Sequence, residues 1–124
     1  MIRVPVFGYT ELFACRADAI TIIGQASQQI GLQLLKVRRL ELGLATGNNA
    51  ARIEAGVFDE IFAALGSGKD QFVIRSSAIS RTCSVAAGLG FDVLVSEGNL
   101  FAQAHFQGFE APTGIQIRML RRVA

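Results

Sequence analysis

Between residues 35 and 44 the chain alternates apolar and polar side chains, and this two-residue period constrains its fold more than any other feature. Leu35, Val37, Leu40, Leu42 and Leu44 face Lys36, Arg38 and Glu41 across the pattern. Side chains repeat every two residues only in extended backbone, so the segment predicts a long, central, half-buried strand. The phase slips once, at Arg38-Arg39, where a bulge would restore the register. A chain of 124 residues builds one core around such a strand but not two, so a single domain (1–124) is expected.

The flanking segments carry mixed signals. Ile2, Val4 and Val6 share one face, and Pro5, which cannot donate to a ladder, confines that segment to a sheet edge. Residues 11–23 read either as two strands joined at Ala17-Asp18 or as a strand followed by a helix capped by Asp18 and stopped at Gly31. Consecutive β-branched Ile20, Thr21, Ile22 and Ile23 favour the hairpin. Val57, Phe58, Ile61, Phe62 and Leu65 fall at helical spacing and predict a helix over 49–65, stopped by Gly66 and Gly68. A short strand over 71–75 then leads to Ser76-Ser77, the N-cap of a helix running to about residue 88. Gly98-Asn99 reads as a two-residue hairpin turn, which would pair Val95 with Ala102 and place Asp92 opposite His105. Ile115, Ile117 and Met119 would form a closing strand. A likeness between residues 30–35 and 89–94 is too short to indicate a repeat.

Hydrophobic residues make up 51% of the chain and the mean hydropathy is +0.40, which favours a homo-oligomer that closes apolar surface between subunits. Residues 85–95 are the longest nearly apolar run, too short for a membrane helix, and the N-terminus lacks the pattern of a signal peptide. A cytoplasmic location is the expectation, with no membrane partner. Cys15 and Cys83 lie far apart without metal-ligand spacing, so buried free thiols and no metal are expected. A net charge of +2 with scattered basic residues argues against nucleic acid.

Three groups of residues could carry chemistry. Gly47, Asn48, Asn49 and Ala50 sit where a strand would feed a helix, whose free amides attract a phosphate or carboxylate. Arg75, Ser77 and Arg81, with Ser76 and Ser80, gather guanidinium groups and hydroxyls at a second such junction, against a plain reading as N-cap and solvated face. Asp92 facing His105 could orient and activate the imidazole as a general base, with an ordinary cross-strand pair as the alternative. Cys83 and Ser84 precede them on the expected helix. Gly66-Ser67-Gly68-Lys69 resembles the end of a phosphate loop but lacks the earlier glycine and the following Ser/Thr, so it reads as a helix stop and turn.

The order strand, strand, strand, helix, strand, helix, strand, strand, with Leu89-Gly90-Phe91 leaving the last helix and Ile115-Gln-Ile-Arg-Met119 closing, resembles the GNAT superfamily of acyl-CoA-dependent N-acetyltransferases. The resemblance implies an α/β (α+β) fold with a mixed, mostly antiparallel sheet and two or three helices; the helical reading of residues 18–30 would instead support a ferredoxin-like α+β fold. It further implies acetyl-CoA or another acyl-CoA as cofactor, held at Gly47, Asn48, Asn49 and Ala50 with Arg75, Ser77 and Arg81. His105, supported by Asp92, would then deprotonate an amine acceptor. Ala86 stands where many members carry tyrosine. The rival expectation is a non-enzymatic oligomerising, ligand-binding or interaction protein.

Overall fold

The computed structural model describes residues 2–6, 9–24, 29–44, 47–88, 90 and 92–109. Among them every regular element is a strand: β1 (Ile2–Val6), β2 (Tyr9–Phe13), β3 (Arg16–Gly24), β4 (Gln29–Gln33), β5 (Lys36–Leu44), β6 (Ala50–Glu54), β7 (Val57–Ala64), β8 (Gln71–Arg75), β9 (Ala78–Ala86), β10 (Val93–Glu97), β11 (Leu100–Phe101) and β12 (Ala104–Gln107). Every pairing is parallel. Even-numbered strands from β2 to β10 form a five-stranded sheet, while β1, β3, β5, β7, β9, β11 and β12 form a seven-stranded one. The chain therefore winds as a β-solenoid, one short and one long strand per coil. Short strands begin at residues 9, 29, 50, 71 and 93, so a coil takes 20 to 22 residues.

This architecture overturns the expected α+β fold, in both its GNAT-like and its ferredoxin-like form. The helix expected over 49–65 is β6 and β7, and the helix after Ser77 is β9. Gly98-Asn99 is not a hairpin turn, because β10 pairs in parallel with β8, and β11 and β12 pair in parallel with β9. Residues 11–23 likewise form no hairpin: β2 pairs with β4 and β3 with β5. The resemblance rested on an order of elements that the chain does not have. The expected closing strand over 115–119 lies outside the described residues.

A bend inside each long strand explains why strands imitate helices in the sequence. Val37 and Leu40 face inward while Arg38 and Arg39 both face out, so the inward spacing is three residues at that point and two elsewhere. The same step separates Phe58 from Ile61, and a bulge in β9 sets Ile79 four residues from Cys83. Spacings of three and four are the helical signature, yet here they mark a stacked bend in extended backbone. The expected phase slip at Arg38-Arg39 is real, and it recurs in the neighbouring coils. Pro5 lies in β1, at the end of the long-strand sheet, as its missing N–H requires.

Short and long strands meet at a corner where Ala14, Leu34, Ala55, Ser76 and Gly98 all take positive φ, between 51° and 64°. A left-handed residue costs a non-glycine side chain about 1–2 kcal/mol. Bonds between coils offset that cost: the corner amides of Ala14, Leu34, Ala55 and Ser76 donate to Gln33, Glu54, Arg75 and Glu97 carbonyls at 2.9–3.0 Å. The backbone ladder thus continues around the turn. Inside, side chains stack coil on coil, with Ile20, Leu40, Ile61 and Cys83 in one column and Ile30, Ala51, Phe72 and Leu94 in another. Much of the high hydropathy is spent on this interior.

The bend carries an ion ladder on its outer side. Arg38 lies 3.0 Å from Asp18 and 3.8 Å from Asp59, and Ser80 Oγ donates to Asp59 at 3.0 Å. The Arg38 and Asp18 side chains are 71% exposed, so water and salt screen the pair. Arg38→Ala is expected to cost less than about 1 kcal/mol in urea denaturation, a difference that disappears in molar salt.

Candidate functional site

The outward face of the short-strand sheet holds a trough of about 390 Å³. Register places Gln29, Ala50 and Gln71 in one column across the coils, Glu11, Gly31, Arg52 and Val73 in the next, and Gln33, Glu54, Arg75 and Glu97 in a third. Gly31 and Ala50 leave the low floor, because neighbouring positions carry long side chains and these two do not. A Cβ added at Gly31 would meet Cγ of Glu11 at 3.7 Å, an ordinary contact, so glycine is not required there by the fold. Arg52 Nε lies 3.7 Å from Glu54 Oε1, and Arg75 Nε 3.4 Å from Glu97 Oε2. Arg52 is paired with Glu54 within one coil and Arg75 with Glu97 between two, while the amides of Gln29, Gln33 and Gln71 offer donors and acceptors together.

A second polar feature lies inside, at the corner before each short strand. Asn49, Asp70 and Asp92 occupy equivalent places in three successive coils and are 2%, 2% and 0% exposed. Asp70 Oδ1 accepts the Asn49 backbone N–H at 3.0 Å and its Nδ2 at 3.1 Å, and Asp92 Oδ1 accepts the Asp70 N–H at 2.9 Å. Asn49 Nδ2 also donates to the Leu65 carbonyl at 3.1 Å. Burial pushes the Asp70 carboxyl above the usual carboxylate range; the bonds from Asn49 pull it back in part, and the Asp92 charge adds to the rise. Cys83, in the same interior, has its thiol pushed up to about 12 by burial. Both cysteines are free thiols, Cys83 buried and Cys15 half-buried. No group of three or more metal-ligating side chains occurs among the described residues.

Gly47, Asn48, Asn49 and Ala50 form the corner that enters β6, so the helix N-terminus expected there is absent. Two of its amides are already committed, Gly47 to the Ser67 carbonyl and Asn49 to Asp70. Arg75 and Ser77 flank the left-handed Ser76: Arg75 faces out toward Glu97, while Ser77 is buried, accepts the Gly56 N–H at 3.1 Å and donates to the Arg75 carbonyl at 2.9 Å. Arg81 is exposed at the bulge of β9, on the other sheet. Asp92 is buried at the corner before β10, whereas His105 is exposed on β12, whose register partner is Ser84 of β9. The pairing that would have joined Asp92 to His105 is replaced by two parallel ones. Gly66-Ser67-Gly68-Lys69 is the turn between β7 and β8, without the helix it was expected to stop.

Neither the trough nor the buried column was read from the sequence, although a signal for the column was present. Gly47-Asn48-Asn49, Gly68-Lys69-Asp70 and Gly90-Phe91-Asp92 repeat a glycine two residues before Asn or Asp. The repeats lie 21 and then 22 residues apart, which is the coil length. No helix among the described residues is long and apolar enough to cross a membrane. No protein-family model, curated protein or solved structure matches this chain.

Proposed function

We propose that this chain is a ligand-binding module whose trough on the short-strand face takes an extended, uncharged polar polymer, with a neutral oligosaccharide as the ligand class. The observation that supports this reading is the low floor at Gly31 and Ala50 bordered by Gln29, Gln33, Gln71 and Arg52. Side-chain amides donate and accept at once, which suits hydroxyl groups, and the charges nearby are largely paired. A shallow trough running across rigid parallel strands favours a long ligand over a compact one. The columns are spaced by the backbone itself, so the ligand meets a preorganised surface.

Backbone amide shifts recorded while a panel of neutral oligosaccharides is added to millimolar concentration test the proposal. Shifts are expected at Gly31, Ala50 and Arg52. Arg52→Ala should weaken binding roughly 10- to 100-fold, the range for a lost hydrogen bond from a charged group. Gly31→Val should fill the floor and abolish binding while the fold is kept, because its Cβ has room. A panel that leaves all of these amides unmoved would sink the idea. Acetyl-CoA, added separately, tests the acyl-transfer expectation on its own.

A further inference from the structure

The buried column at the second corner puts chemically unequal groups in equivalent places. Asn49 presents an amide that both donates and accepts, while the next two coils present Asp70 and Asp92. Each carboxyl spends Oδ1 on a backbone N–H from the coil before it. The other oxygen of each, Oδ2, is sealed from water without a hydrogen-bond partner among the described residues. Adjacent parallel strands stand about 4.8 Å apart, so two ionised groups would face each other at close to one coil spacing inside an apolar stack.

Among the described residues no ion pair offsets them: those found involve neither Asp70 nor Asp92. Lys69, next to Asp70 in the chain, is exposed. From the preceding coil the column is met by the uncharged Asn49, and on the inner walls Cys83 is the one other titratable side chain among the buried described residues, its thiol neutral. Two desolvated charges with only repulsion between them make the doubly ionised state the costliest arrangement. One proton removes a charge and gives an O–H that can satisfy an orphaned oxygen.

We propose that Asp70, facing Asp92 of the next coil in the dry interior, keeps its proton above the pH at which an exposed aspartate loses its own, so that the grip between the two coils weakens as the pH rises. An unfolded aspartate is about half ionised near pH 4 and loses the rest of its proton within the next pH unit or so. Folded Asp70 therefore holds its proton over an interval in which the unfolded chain has released it, and stability falls as the pH rises through that interval. The unfolding constant grows about tenfold per pH unit within it.

Carboxyl ¹³C resonances of the intact protein, followed from acid to alkaline pH, decide the matter. The Asp70 carboxyl is expected to titrate above the ordinary aspartate range. Asp92→Asn, which repeats the chemistry of Asn49, should bring the titration of Asp70 down and flatten the pH dependence of its urea midpoint. An Asp70 carboxyl titrating in the ordinary range would overturn the proposal, and so would an Asp70 titration unchanged by Asp92→Asn. The wild-type titration stands by itself should the variant not fold.

Discussion

Gly68→Ala is expected to destabilise the protein by about 3–5 kcal/mol, the largest effect of any small substitution on the described surface. Gly47, Gly68 and Gly90 stack at one corner with φ of 120°, 120° and 118°, a region that side chains other than hydrogen rarely enter. A Cβ at Gly68 would also lie 2.1 Å from the Gly47 carbonyl oxygen, and one at Gly90 would lie 2.1 Å from that of Gly68. The obstacle is backbone, fixed by the coil below, so rotation of a side chain cannot relieve it. Gly43→Ala is the internal control: nothing lies within 4 Å of its added Cβ, and its φ is ordinary. It should stabilise the protein by about 0.5 kcal/mol, because glycine weakens a strand interior. Urea titrations of both variants check the contrast, and equal midpoints would refute the stacked-corner account.

Asn99→Ala should cost about 2–4 kcal/mol, although the substitution removes only a small polar side chain. Asn99 is fully buried behind the left-handed Gly98 and makes three hydrogen bonds. Its Oδ1 accepts the Ser77 N–H at 2.9 Å, and its Nδ2 donates to the Ile74 carbonyl at 2.7 Å and to Ser96 Oγ at 3.1 Å. Alanine removes the partner of one buried donor, the Ser77 N–H, and of two acceptors, the Ile74 carbonyl and Ser96 Oγ, and their desolvation is then uncompensated. Hydrogen exchange separates this mechanism from general loosening. The Ser77 amide should lose protection before those of Leu40 and Ile61, which sit mid-strand in the long-strand sheet. Retained protection at Ser77 in the variant would contradict the assignment.

Strand character was legible wherever alternation ran unbroken. Leu40, Leu42 and Leu44 face inward as the two-residue period requires, and the slip at Arg38-Arg39 lies where the pattern breaks. Phe58 and Ile61 misled for a physical reason: the bend between them changes inward spacing from two to three, and a local pattern cannot tell a bent strand from a helical turn. The left-handed corners were hidden because Ala14, Leu34, Ala55 and Ser76 are not turn-forming residues by their own preference. Coil-to-coil hydrogen bonds hold them there. For the candidate site the position was similar. Asp92 was expected to face His105 across a hairpin and orient its imidazole, but its carboxylate accepts the backbone N–H of Asp70 in the coil before.

The sequence by itself determined the extended character of the stretches in which alternation runs unbroken, residues 35–44 foremost, and the slip at Arg38-Arg39. These follow from local backbone sterics and from the side-chain period, which each segment carries within itself. Only the tertiary structure decided that the strands pair in parallel, that Gly31 lies beside Arg52 across coils, and that Asp70 and Asp92 are stacked in the dry interior. Those relations join residues about one coil apart. They arise because a backbone edge left unpaired by one coil is satisfied by the next, a requirement that no single segment records.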